Sequence, residues 1–294
     1  MSAASPPASP QRSDPHPRIS HRHTQGSAQG SAQGGALRMV GGIVTIARYV
    51  LAEALFGRLA IAAVAIAGSG LGVAWFAGEM AITEAASIQG SALAAFLRVA
   101  AVLMVVSFVV SGLTREQSDK GLELLLSLAL PRASYVAGKL LGYTALAWLI
   151  AVAFSLPLFA FAPAANVAAW AIALAFELTI VAAAALAAAL VIGQSALCLL
   201  AVTAFYALSR IMPALLAITA NPVAPTGSLS FNVMSASLHS IATLLPALDR
   251  FASAAWLWQG PAVWPQLASA AAQFAIYVPL LMALAMFDFY RKNL

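Results

Sequence analysis

Six apolar runs, each of about 20 residues or more, govern what this chain can fold into. They cover Leu59–Gly78, Leu93–Leu113, Leu140–Ala162, Ala168–Gly193, Ala196–Ala217 and Gln266–Phe289. At 1.5 Å per residue, a helix over any of them crosses a hydrocarbon core of ~30 Å. Lipid offers no water to backbone N–H and C=O groups, so such a run must satisfy them internally, as a helix does. Composition closes the alternatives. Apolar residues make up 62% of the 294 and charged residues 9%, where a soluble chain carries about 25% charge. Too few charges remain to wet a globule's surface, which excludes a soluble enzyme and a wholly disordered chain. A single cysteine, Cys198, excludes a disulfide scaffold. The expected fold is all-α: a polytopic membrane protein with six transmembrane helices.

Two segments precede the first run. Residues 1–37 are rich in Ser, Pro, Gln, Gly and His, with GSAQ twice in tandem at 26–33. They lack apolar residues to offset ordering entropy, so a disordered cytoplasmic tail is expected. His21 and His23 on so loose a tract make no metal site, and none is expected elsewhere. No apolar stretch follows the early arginines, so the tail is not read as a secretory signal, and the abrupt change in composition makes Met39 a candidate start. Residues 38–58 are two-faced at helical period. Thr45, Arg48, Tyr49 and Glu53 gather on one side; Ile43, Ile46, Ala47, Val50, Leu51 and Ala54 gather on the other. That pattern predicts an amphipathic helix lying in the membrane interface.

Net charge is +5, but placement says more than the sum. With the N-terminus inside, Arg12, Arg18, Arg22, Arg38, Arg48, Arg58, Arg115, Lys120, Arg132, Lys139, Arg291 and Lys292 fall on inner segments, and Arg250 alone on an outer one. The positive-inside rule then puts both termini in the cytoplasm, and nucleic acid is not an expected partner. Trp75, Trp170, Trp256, Trp258 and Trp264 fall at the expected outer boundary, where interfacial tryptophans gather, and Trp148 lies mid-span.

Two connections are long. The outer one, 218–265, opens with turn residues and continues as short interfacial helices split at Pro246; with Asp249, Trp256 and Trp258 it is expected to cap the outer exit. The inner one, 114–139, holds Leu122, Leu124, Leu125, Leu126 and Leu128, a block too short to cross a bilayer, ended by Pro131. Charges at Arg115, Glu116, Asp119, Lys120 and Glu123 precede or punctuate it. A leucine-faced cytoplasmic helix suits docking into a groove on a soluble partner; a surface-lying turn fits the same pattern.

Ionisable residues within apolar runs are costly and mark structure or function. Arg98 stands near the outer end of the second run, where it can snorkel. Glu177 and Arg210 enter the fourth and fifth runs about 13 and about 10 Å below the outer boundary. Those runs are separated only by the Gly193-Gln194-Ser195 break, which predicts a tight antiparallel hairpin and an Arg210–Glu177 pair. Ser69, in Gly68-Ser69-Gly70, raises an intramembrane serine hydrolase, but the only histidine beyond the tail is His239, in the outer connection. Gly68 and Gly70 read as close-packing positions.

The run Lys120-Gly121-Leu122-Glu123-Leu124-Leu125-Leu126-Ser127, then Pro131-Arg132, then Gly138-Lys139-Leu140-Leu141-Gly142, resembles the inner loop of ABC-2 type permeases, the membrane subunits of ABC exporters. The amphipathic helix before the first span, the six spans, the long outer connection and the Phe289-Tyr290-Arg291-Lys292 ending are similar to that family too. The likeness extends over residues 39–294. Members usually read Gly-Thr-Leu-Glu where this chain has Lys120-Gly121-Leu122-Glu123, and Ala129 stands where a proline is common. The resemblance implies a permease subunit in the bacterial inner membrane, paired with a second permease subunit and resting on a separate ABC ATPase subunit. Glu116, Lys120, Gly121, Leu122, Glu123, Leu124, Leu125, Leu126 and Arg132 would then couple the two and catalyse nothing. The chain has no Walker A motif, since Leu140 follows Gly138-Lys139, so ATP and Mg²⁺ would be used by the partner and no cofactor held here. A non-transporting assembly or anchoring protein is the alternative from another class.

Overall fold

The computed structural model describes residues 41–81, 84–118, 132–220, 229–260 and 263–291. Of these, 92% are helical and none lies in a strand. Helix α1 occupies residues 41–56, followed by α2 (Arg58–Glu79), α3 (Ala85–Ser118) and α4 (Arg132–Ser155), which continues as a 3₁₀ turn, Leu156–Ala160. Then come α5 (Ala164–Ile192), α6 (Ser195–Ala220), α7 (Leu229–Leu244), two 3₁₀ turns (Leu248–Arg250 and Ala254–Leu257) and α8 (Val263–Arg291). Helices α2, α3, α4, α5, α6 and α8 are long and apolar enough to cross a membrane. The chain is an all-α, multi-pass membrane protein. The tail, 1–37, lies outside the described residues.

Helix α5 is the axis. It packs against α3, α4, α6 and α8, and 20 of its 29 residues are buried. Seven alanines among residues 182–190 explain the close approach. Lipid tails are as apolar as leucine, so helix association there depends on dispersion contacts that small side chains permit. Helix α2 is the opposite case, burying Gly70 and Ala74 against α3 while Ile61, Val64, Trp75 and Phe76 stand exposed as a lipid face.

Two helices outrun their apolar stretches. α3 spans 34 residues, about 51 Å, so it projects beyond a hydrocarbon core at both ends. α4 begins at Arg132, eight residues before the apolar run at Leu140. Hydrophobicity marks where a helix meets lipid and leaves open where the helix stops; the partnered side chains Glu116, Tyr135 and Lys139 let α3 and α4 continue past it. We call the end from which residues 119–131 leave the inner end.

Helix α1 sorts its faces as its periodicity requires, with Val50 and Ala54 buried and Arg48, Tyr49 and Glu53 exposed. Its apolar face meets α4 at two glycines one turn apart. A Cβ at Gly142 would come within 2.8 Å of Val50 Cβ, and one at Gly138 within 3.0 Å of Ile46 Cβ. The contact exists because those positions lack side chains. In the Gly68-Ser69-Gly70 segment only Gly70 has this role. A Cβ there would lie 3.1 Å from Leu93 and Phe96, whereas Gly68 has nothing within 4 Å, correcting the expectation that both glycines pack.

The outer connection departs most from its expected interfacial course. After α7 the chain bends by 60° around Pro246, and the following limb turns inward. Leu248, Phe251, Ala252, Trp256 and Leu257 are buried within the bundle. Trp170 is likewise fully buried, so it and Trp256 are packed anchors, unlike Trp75, Trp258 and Trp264, which remain exposed.

Candidate functional site

The first cluster lies where the inward limb meets α3, α5, α6 and α8. Gly193, at φ 72°, closes α5 in the left-handed conformation, and its N–H donates to the Ala189 carbonyl at 3.2 Å. α6 starts two residues later, at Ser195. Glu177 and Arg210 are equally far along the chain from this turn, so the antiparallel helices bring them to one height. Arg210 Nη1 lies 3.4 Å from Glu177 Oε1. Tyr206, one turn before Arg210 and on the same face, donates its hydroxyl to that oxygen at 3.0 Å. Arg210 Nη1 also donates to the Leu248 carbonyl at 2.6 Å, so one guanidinium joins α5, α6 and the limb.

Arg98 does not snorkel, contrary to expectation. Its side chain is buried and Nη1 donates to the Ala252 carbonyl at 2.9 Å. Trp170 Nε1 donates to the same oxygen, also at 2.9 Å. The limb comes down to the arginine, which removes any need to reach water. Asn166 Nδ2 donates to the Leu257 carbonyl at 3.0 Å, Trp258 Nε1 to Ser91 Oγ at 3.0 Å, and the Ala247 N–H to Gln273 Oε1 at 3.1 Å. Irregular backbone is tolerated at membrane depth only where protein covers it and meets its polar groups. Here four helices supply the partners. Ala252 itself holds φ 40°, a conformation that costs a non-glycine residue about 1–2 kcal/mol.

Electrostatically, Arg98 is within reach of both Glu177 and Arg210, giving one carboxylate between two guanidiniums. Glu177 is fully buried; its Oε2, with Arg98 Nε and Ser209 Oγ, has no hydrogen-bond partner among the described residues. Asp249 borders two small cavities beside the limb, of about 390 and 210 Å³. The arrangement is an electrostatic fastening of the limb.

The second cluster sits at the inner end, at the two helix ends flanking residues 119–131. Glu116, at the end of α3, accepts the Tyr135 hydroxyl at 2.6 Å and forms an ion pair with Lys139, both from the first two turns of α4. Lys139 is buried by this contact. Gln117 Nε2 donates to the Ala189 carbonyl of α5 at 3.0 Å, and the Tyr135 ring stacks on Phe289 of α8 with centroids 6.1 Å apart. Four helices are thus tied together at one level. Tyr135 and Lys139 were not among the expected site residues, although their i, i+4 spacing places both on one face.

Of the expected coupling residues, Glu116 is in this clamp and Arg132 opens α4. Lys120, Gly121, Leu122, Glu123, Leu124, Leu125 and Leu126 lie outside the described residues. Ser69 donates its hydroxyl to the Ile66 carbonyl of its own helix at 2.9 Å. No group of three or more His, Cys, Asp or Glu with metal-binding geometry occurs among the described residues. The chain matches no family model and no curated protein.

Proposed function

We propose that this chain is the membrane-spanning permease subunit of an ATP-driven ABC-2 type exporter. It resides in a bacterial inner membrane with both termini cytoplasmic, pairs with a second permease subunit, and is coupled through residues 114–139 to a separate ATPase that binds the ATP and Mg²⁺. The observation that carries this reading is the clamp at the base of residues 119–131: Glu116 with Tyr135 and Lys139, extended by Gln117 to α5 and by Tyr135 to α8. A mere connector between two spans needs no such anchorage. A segment that receives force does, because a push on a loosely rooted loop would be lost in bending the loop.

In this mechanism the ATPase moves the loop, and the clamp makes α3 and α4 respond as one body. α3 is a rigid rod from Glu116 to Arg98, 18 residues or about 27 Å. At its far end Arg98 holds the Ala252 carbonyl, beside Trp170 of α5. Tilting α3 against α5 pulls on that shared oxygen and shifts the limb that closes the outer side.

The test is to replace Glu116 by Gln and Lys139 by Met, separately, in the chain purified from its native host in mild detergent together with any ABC ATPase it retains. The expected result is a complex that still forms while its ATP hydrolysis drops several-fold. Failure of the wild-type chain to co-purify with any ATPase contradicts the reading and favours the assembly or anchoring role.

A further inference from the structure

Beside the limb, between α6 and the end of α7, lies a cavity of about 210 Å³. That is the liquid volume of about seven waters, too large to grip a bare ion and large enough for a small organic molecule. Its wall is short of donors. Ser209 is 1% exposed, and its hydroxyl has no hydrogen-bond partner among the described residues. Elsewhere on α6 the hydroxyls of Thr203 and Thr219 donate back to carbonyls of their own helix, at Leu199 and Leu216; that of Ser209 does not. Asp249 Oδ1 is buried and equally unpartnered. Two prolines withhold further donors. Pro213 has no N–H to offer the Ser209 carbonyl, four residues before it, and Pro246 has none for the Ala242 carbonyl in the last turn of α7. All five residues line the cavity.

The rest of the wall sets the charge and shape of an occupant. Arg250 also lines the cavity; it is exposed, and its side chain makes no hydrogen bond or ion pair among the described residues. Asp249 and Arg250 together are neutral, while the adjoining Glu177, Arg98 and Arg210 leave an excess of one positive charge. Residues 221–228, which join α6 to α7, contain no charged side chain that could change this count. A lone cation would enter against the excess, and a lone anion would leave Asp249 Oδ1 and the freed carbonyls unmet. Met212, Leu216 and Leu245 add an apolar side.

We propose that this cavity binds a small free zwitterion with an apolar side chain, the class to which branched aliphatic α-amino acids belong. An ammonium has three donors and no acceptor; here it donates to Asp249 Oδ1, Ser209 Oγ and a proline-freed carbonyl. The C-terminal end of α7 adds partial negative charge on the same side. The ligand's carboxylate pairs with Arg250, and its side chain packs against Met212, Leu216 and Leu245. The headgroup of phosphatidylethanolamine carries the same two charges, but a cavity this small leaves no room for acyl chains, which favours the free molecule. The site requires only the fold; it stands or falls separately from the transport reading.

The experiment measures binding of radiolabelled L-leucine to the full chain in detergent. Competitors are unlabelled leucine, isoamylamine (leucine without its carboxylate), isocaproate (leucine without its ammonium) and phosphatidylethanolamine. The expected result is saturable retention of one leucine per chain, displaced about tenfold better by leucine than by either half-molecule and not by the lipid. Asp249→Asn and Arg250→Gln should each weaken leucine binding about tenfold, and Arg250→Gln should bring leucine down to the level of isoamylamine. Melting of the unliganded variants checks that they fold, and Arg250→Gln, at an exposed position, carries the test if Asp249→Asn does not. Absence of saturable leucine binding overturns the proposal, as does displacement by either half-molecule as good as by leucine. Displacement by phosphatidylethanolamine, or leucine binding unchanged in the folded variants, overturns it too.

Discussion

Glu177 shows how one buried charge organises its surroundings. Arg210 Nη1 stands closer to the Leu248 carbonyl, at 2.6 Å, than to Glu177, at 3.4 Å, so the arginine serves the limb at least as much as the carboxylate. Arg210→Gln therefore removes two contacts, and Glu177→Gln removes one while keeping an acceptor for Tyr206. Thermal melting in detergent should rank Arg210→Gln as the more damaging change. The double variant should recover part of the loss, with a coupling of about 1–3 kcal/mol. Strictly additive losses would mean the two side chains do not interact. Ala252 makes a second case. Its left-handed backbone is imposed by two donors on one carbonyl, so Ala252→Gly should leave the melting temperature unchanged or raise it. Ala252→Val, β-branched in the same conformation, should lower it. The Glu177–Arg210 pair was legible in sequence because a two-residue break sets the register of α5 against α6. The acceptor for Arg98 was not legible: it is a backbone carbonyl 154 residues away, and no side-chain pattern announces a carbonyl.

At the scale of elements, hydropathy revealed the six spans and the two faces of α1, because lipid and protein interior both select apolar side chains. It was silent on where α3 and α4 end. It also misread the limb after Pro246 as interfacial, since half-apolar composition is shared by an interfacial helix and a re-entrant one. The choice between them is made by donors on α3, α5 and α6, each remote in sequence. The docking of α1 on α4 is open to a direct check. Gly142→Leu, which forces a side chain into Val50 and Ala47, should detach α1 and expose its inner face to proteolysis. Gly68→Leu, facing open space, should leave stability unchanged. Equal tolerance of the two substitutions would mean that α1 does not need the glycine contact.

For the whole molecule, the two clusters meet α3 about 27 Å apart, one at its inner end with α4, α5 and α8, the other at Arg98, part-way along the helix, where it holds the limb. A rigid rod between two fastenings carries displacement from one end to the other without a chain of small rearrangements. It follows that Arg98→Gln should leave ATPase binding intact yet uncouple it, with hydrolysis continuing while transport of the native substrate falls several-fold. Preserved transport in that variant would place the working contact elsewhere. The central claim is that residues 119–131 receive force from a nucleotide-hydrolysing partner. Its most direct test is a photo-cross-linking amino acid at position 125, activated in intact cells. The account predicts a single dominant adduct with an ABC ATPase subunit, weakened when ATP is depleted. Adducts with lipid alone, or with a protein that hydrolyses no nucleotide, would contradict it.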